Sequence, residues 1–201
     1  MPSTEFAPER RRMLSVLGTV GAAAGIGTLA AATPAAAAPE ELTAARWGVN
    51  GPVDDEVAIQ RLIDGYLFAV DTKDKTFFRT LWTEDATLTV MAHPDGTAGI
   101  VKSGIEAIVA NLDGAQAWGQ STHVKANVSI RVSGRTATAD SFATAQLVYP
   151  ATATAPETVV VRGLRYRDAF VKTATGWKLR GRVMSPLWQF NGASVPIVYP
   201  N

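Results

Sequence analysis

No cysteine occurs among the 201 residues. That absence excludes a disulfide framework, a thiolate nucleophile and a Cys-ligated zinc site. Histidine is nearly as scarce, with only His93 and His123. They stand far apart, with no His-x-x-x-His spacing, so metal binding has poor support. Charge of one sign is also lacking: 19 Lys and Arg face 18 Asp and Glu, a net charge of +1. A nucleic-acid binder would carry a basic surplus, so none is expected as partner. Beyond residue 40 no apolar run approaches the roughly 20 residues needed to span a bilayer. No Gly-x-Ser-x-Gly elbow, phosphate loop or internal repeat is present.

What is present begins with Arg10-Arg11-Arg12-Met13-Leu14 and a Gly/Ala-rich stretch from Val16 to about Ala32. Small residues follow at Ala35 and Ala37. The pattern resembles a bacterial twin-arginine export signal, which implies cleavage after Ala37 and a secreted or cell-envelope location. A retained anchor is the alternative, and the short, weakly apolar run speaks against it. The chain then divides into a signal at 1–37, a lead-in at 38–53, a domain at 54–190 and a tail at 191–201. About 160 residues remain after the signal, which suits a single domain.

Asp54-Asp55 offers a helix N-cap and an acidic first turn. Val57, Ile59, Leu62, Ile63, Tyr66, Leu67 and Val70 recur at helical spacing, so a first helix is predicted over 54–70. A second is predicted over 74–82, ended by Thr83-Glu84-Asp85. A strand over 86–91, a turn at His93-Pro94-Asp95-Gly96 and a return strand over 99–102 follow. Ser103 is placed as the cap of a third helix carrying Ile105, Ile108, Val109 and Leu112. Four long strands come next, over 122–132, 136–149, 158–172 and 177–190, joined in pairs by Ser133-Gly134-Arg135 and Thr173-Ala174-Thr175-Gly176. Segregated helices beside antiparallel strands indicate an α+β fold. Three helices would cover one face of a strongly curved sheet and close it into a cone-shaped barrel with a pocket inside.

That order, with particular residues in place, resembles the SnoaL-like branch of the nuclear transport factor 2 superfamily. The matching segments are Gly65-Tyr66-Leu67-Phe68-Ala69-Val70-Asp71, Leu81-Trp82-Thr83-Glu84-Asp85-Ala86, His123 with Asn127 and Ile130, Gly163-Leu164-Arg165-Tyr166-Arg167-Asp168, and Gly176-Trp177-Lys178-Leu179-Arg180 with Arg182. The resemblance implies a pocket holding Tyr66, Asp71 and His123, and a homodimer formed through the outer sheet face. It also implies a cofactor-independent dehydratase or isomerase for an apolar oxygenated molecule of steroid, terpenoid or polyketide type. His93 lies in a turn and does not supply the second pocket histidine of scytalone-type enzymes.

Imidazole is the natural proton carrier near neutral pH, so His123 is the expected general base and acid. A carboxylate on one ring nitrogen fixes the tautomer, the role expected of Asp71. Tyr66 is five positions earlier, about 140° around the helix, and is expected to polarise a substrate oxygen. Asn127 is in phase with His123, yet Val128, Ile130 and Val132 occupy the other phase; a β-bulge near Asn127 would reconcile them. Phe78, Trp82, Phe142, Met184, Trp188 and Phe190 are the expected apolar lining. Asp168 and Arg182 face each other as a structural pair. A non-catalytic carrier using the same pocket, or a structural partner, remains the alternative, and the C-terminal tail is expected to cover the pocket mouth or a partner.

Overall fold

The computed structural model describes residues 54–95 and 97–195. The export signal, the lead-in and the tail beyond residue 195 lie outside them, as does Gly96 of the turn. Helix α1 spans Asp55–Thr72 and starts at Asp54, whose carboxylate accepts the Glu56 N–H at 2.9 Å. It ends where Lys73 turns left-handed at φ 58°, and the Asp74 N–H closes back on the Ala69 carbonyl at 3.0 Å. Its apolar face is buried from Ala58 to Val70. Helix α2, Lys75–Thr80, is capped by Asp74, which accepts the Phe77 N–H at 2.8 Å.

Helix α2 is shorter than predicted. Strand β1, Trp82–Val90, already begins at Trp82, because Trp82 aligns with Leu179 and the Leu179 N–H bonds the Leu81 carbonyl at 2.8 Å. Thr83-Glu84-Asp85 is therefore strand, not a helix terminator. Strand β2, Ile100–Ser103, takes Ser103 as its last residue, and Gly104 at φ 80° caps α3, Ile105–Asn111. A 3₁₀ segment over Leu112–Ala117 follows. Strands β3 to β6 then run Gln120–Ser133, Thr136–Tyr149, Thr158–Thr173 and Gly176–Ala193.

The six strands form one sheet in the order β2-β1-β6-β5-β4-β3, with β1 and β6 parallel and every other pair antiparallel. It curls without closing: β2 and β3 are edges, so the sheet is not a barrel. Helix α1 packs on β3 and α3 on β1. The helices thus cover the inner face that strand pairing leaves open. Irregular pairing at 125/128 in β3, 163/164 in β5 and 169/170 in β5 adds the local bends that a strongly curved sheet requires. The inner face of β4 carries Ala137, Ala139, Ala143 and Ala145, all buried. These small side chains leave room above the sheet centre. No helix among the described residues is long and apolar enough to cross a membrane.

Candidate active site

Asp71 lies in the last turn of α1, and its carboxylate meets the first half of β3. Oδ1 lies 2.6 Å from His123 Nδ1 and accepts the Ser121 hydroxyl at 2.8 Å. Oδ2 accepts the His123 backbone N–H at 2.7 Å. Ionised carboxylate only accepts, so Nδ1 carries the proton of this bond and Nε2 remains the basic nitrogen. The two side chains are 5% and 19% exposed, His123 the more buried. Burial by itself would raise the Asp71 carboxyl; the His123 ring, its backbone N–H and the Ser121 hydroxyl outweigh this and hold it below the usual carboxylate range. These partners also offset the unfavourable placement of an anion at a helix C-terminus.

His123 opens on a cavity of about 290 Å³ between α1, the 3₁₀ segment and the inner sheet face. Tyr66, Phe78 and Met184 line it as expected, together with Trp118, Tyr149, Arg162 and Tyr166. Tyr66 and Asp71 share this region without any loosened turn, because α1 lays Tyr66 toward the core and Asp71 toward β3.

The Tyr66 ring is gripped on several sides. Phe78, Trp82 and Tyr166 lie 5.3, 5.9 and 6.0 Å from its centroid, and the Arg182 guanidinium sits 3.8 Å over its face. Arg182 also lies 4.5 Å over Tyr166 and donates Nε and Nη2 to Asp168 at 2.7 and 2.6 Å. Burial would lower Arg182, but the adjoining Asp168 carboxylate keeps it firmly charged. Burial pushes the Tyr66 hydroxyl up, and the Arg182 charge opposes that only in part. At neutral pH Tyr66 is therefore a neutral hydroxyl, able to donate a hydrogen bond.

Five expected lining residues lie elsewhere, among them Phe190, which is exposed beyond the extra residue of β6. In β3, Ala126 and Asn127 together oppose Phe142 of β4, an interruption between the pairs Lys125↔Ala143 and Val128↔Ser141. This bulge turns Asn127 to the outer face and lets Val128 and Ile130 point inward. Phe142 occupies the outer phase of β4, opposite to its buried alanines, with the Arg165 guanidinium 5.7 Å from its ring. Trp188 should share a face with Met184, two pleats away, but Leu187 is an extra residue between the pairs Leu164↔Pro186 and Gly163↔Trp188. Trp188 therefore lies outside, across Gly163, where a side-chain carbon would meet its Nε1 at 2.2 Å. Trp82 is buried at 3% exposure but buttresses Tyr66 and Phe78 from behind and does not line the cavity. Asn127 and Phe142 instead line a larger outer groove of about 650 Å³ with Arg131, Asp140 and Arg167.

Sequence reasoning passed over Trp118, Tyr149 and Arg162. Trp118 Nε1 donates to the Tyr149 hydroxyl at 2.9 Å, and Lys73 Nζ holds the Trp118 carbonyl at 2.6 Å. Trp118 follows an unpredicted 3₁₀ segment, so no periodicity could have found it. Arg162 had a signal in its even spacing with Leu164 and Tyr166. Among the described residues, no three His, Asp or Glu side chains gather to hold a metal ion.

Similarity to known proteins follows the same architecture. An uncharacterized protein of Mycobacterium tuberculosis is 27% identical over 139 residues, covering 68% of this chain and 88% of that protein. A hexachlorocyclohexane dehydrochlorinase (LinA, type 2) superposes with a TM-score of 0.60 at 16% identity, covering 72% of this chain and 93% of that one. A protein of Novosphingobium aromaticivorans provisionally named a scytalone dehydratase gives 0.56 at 22% identity, covering 73% and 95%. At these identities the superpositions establish the shared fold alone. The family itself is established by sequence: the SnoaL-like domain profile matches residues 52–183, and the chain belongs to that family.

Proposed function

We propose that the protein is a small acid–base enzyme, a dehydratase or isomerase acting on an apolar carbonyl-bearing molecule. The observation that carries this reading is the His123–Asp71 pair, set at the wall of an apolar cavity with Nε2 free of any protein partner among the described residues. Nε2 takes a proton from the carbon next to the substrate carbonyl. The electron pair forms the new C=C bond as the neighbouring hydroxyl leaves, and the imidazolium returns its proton to that hydroxyl as water. Asp71 stabilises the imidazolium and fixes its tautomer. Tyr66 donates a hydrogen bond to the carbonyl oxygen, where negative charge develops. Superposed proteins named for dehydration and dehydrochlorination perform eliminations by name, which agrees with this direction.

A suitable probe is 3-hydroxy-1-tetralone, whose loss of water and tautomerisation give fluorescent 1-naphthol. Wild type should accelerate the formation of naphthol, and His123→Ala should return it to the buffer rate. If the tetralone binds and is released unchanged, the cavity serves as a carrier and the enzyme reading fails.

Export belongs to the same proposal. The segment Arg10–Ala37 directs the protein through the twin-arginine route to the cell envelope or medium. Replacing Arg10 and Arg11 by Lys should retain it in the cytoplasm. Sequencing the exported chain should find an N-terminus near Ala38; one still starting at Met1 overturns cleavage.

A further inference from the structure

Cross-strand register aligns four inner-face residues in one rung: His123 of β3 pairs with Ala145 of β4, Ala145 with Arg162 of β5, and Arg162 with Gln189 of β6. Directly paired residues share a face, so all four point the same way. Neighbouring strands lie about 4.8 Å apart, which sets the backbones of His123 and Arg162 roughly 10 Å apart. Only the methyl group of Ala145 stands between them. His123, Ala145 and Arg162 all line the cavity.

Arg162 has no acidic partner among the described residues. Its Nε and Nη2 both donate to Gln189 Oε1, at 3.0 and 2.7 Å, and Gln189 is itself steadied by donating to Asn191 at 2.9 Å. The guanidinium is thus held in place by a neutral amide, and no carboxylate among the described residues pairs with its charge. Other cations on this sheet are matched by carboxylates: Arg182 by Asp168, Arg165 by Asp140, Lys125 by Asp64. A cation fixed in the wall of the cavity, its Nη1 given no hydrogen bond by the described residues, suits an anionic group of the occupant.

We infer that Arg162 is a specificity residue and that the molecule taken into this cavity carries a carboxylate on an apolar body. The planar fork of the guanidinium matches a carboxylate in shape and charge. With the carboxylate on Arg162 and the body over Ala145, the far end of the body faces the His123 ring. This inference rests on the cavity being the substrate site.

The test uses the full chain and two probes of equal size, 1-naphthylacetate and its neutral amide 1-naphthylacetamide, titrated by calorimetry. Wild type should bind the carboxylate about tenfold more tightly, the scale of a charge-assisted hydrogen bond. Arg162→Gln should remove that preference while leaving the affinity for the amide unchanged, and Arg162→Lys should restore part of it. Equal binding of both probes to wild type, or a preference that survives in Arg162→Gln, overturns the inference alone. Failure of both probes to bind overturns it together with the cavity reading, which the tetralone assay checks separately.

Discussion

At the residue scale, the Asp71 carboxylate is an organiser with three donors and one dependent, the His123 ring. His123→Ala should lower tetralone turnover by about a hundredfold or more, the usual contribution of a general acid–base group. Asp71→Asn should lower it less, because the amide oxygen can still accept the His123 backbone N–H while its NH2 group, facing Ser121 and the imidazole, misdirects the ring. The same pair sets an acid limit on stability. Because the folded carboxyl lies below its unfolded value, its stabilising effect is fully present above about pH 4 and is lost as pH falls through the lowered value. Urea midpoints should therefore drop below pH 4 in wild type, and Asp71→Asn should flatten that part of the curve. A parallel decline in both proteins would remove Asp71 from the explanation.

Elements explain why some residues could be placed from sequence and others could not. Helix α1 was legible because its apolar period, its Asp54 cap and its length agree. Met184 and Phe78 followed from the same periodic logic. Asn127 and Trp188 did not, since a strand's phase can be counted only as far as the first extra residue, and both lie at or beyond one. Phe142 was misplaced by its own bulk: β4 puts alanines inward and the large ring outward, against the usual order. Asp168 and Arg182 pair across β5 and β6 as their spacing suggested, but nothing in the sequence announced the two tyrosine faces enclosing the guanidinium. Breaking this fully buried pair should be costly. Asp168→Asn leaves Arg182 charged without its partner and should destabilise the fold by about 3–5 kcal/mol, measured as a shift in denaturant midpoint. A loss below 1 kcal/mol would mean that the ring faces suffice.

Across the whole molecule, the two faces of the sheet differ in what they leave exposed. The helices cover much of the inner face. The outer face presents Phe142, Trp188 and Phe190 at 40%, 53% and 65% exposure. Large apolar side chains left exposed on one face commonly mark a protein contact. We propose that two copies pair through it, the isologous arrangement most common among oligomers. Light scattering should give twice the chain mass at micromolar concentration, and Trp188→Glu should give the monomer. A wild-type monomer under those conditions would leave that face without this role.

The interruption of β3 at Ala126 and Asn127 makes the strand unequally tolerant of changes in length. With the pairing set by the Ser133-Gly134-Arg135 turn, an unbroken ladder would bring Gln146, not Ala145, opposite His123. Loss of Ala126 or Asn127 can be absorbed by straightening the strand, after which the histidine again faces Ala145 and the cavity. A gain of one residue has no such reserve: it must create a second irregularity or turn the imidazole out to solvent. Shortening by one should therefore spare the Asp71 contact, and lengthening by one should abolish it, although the two changes are equal in size.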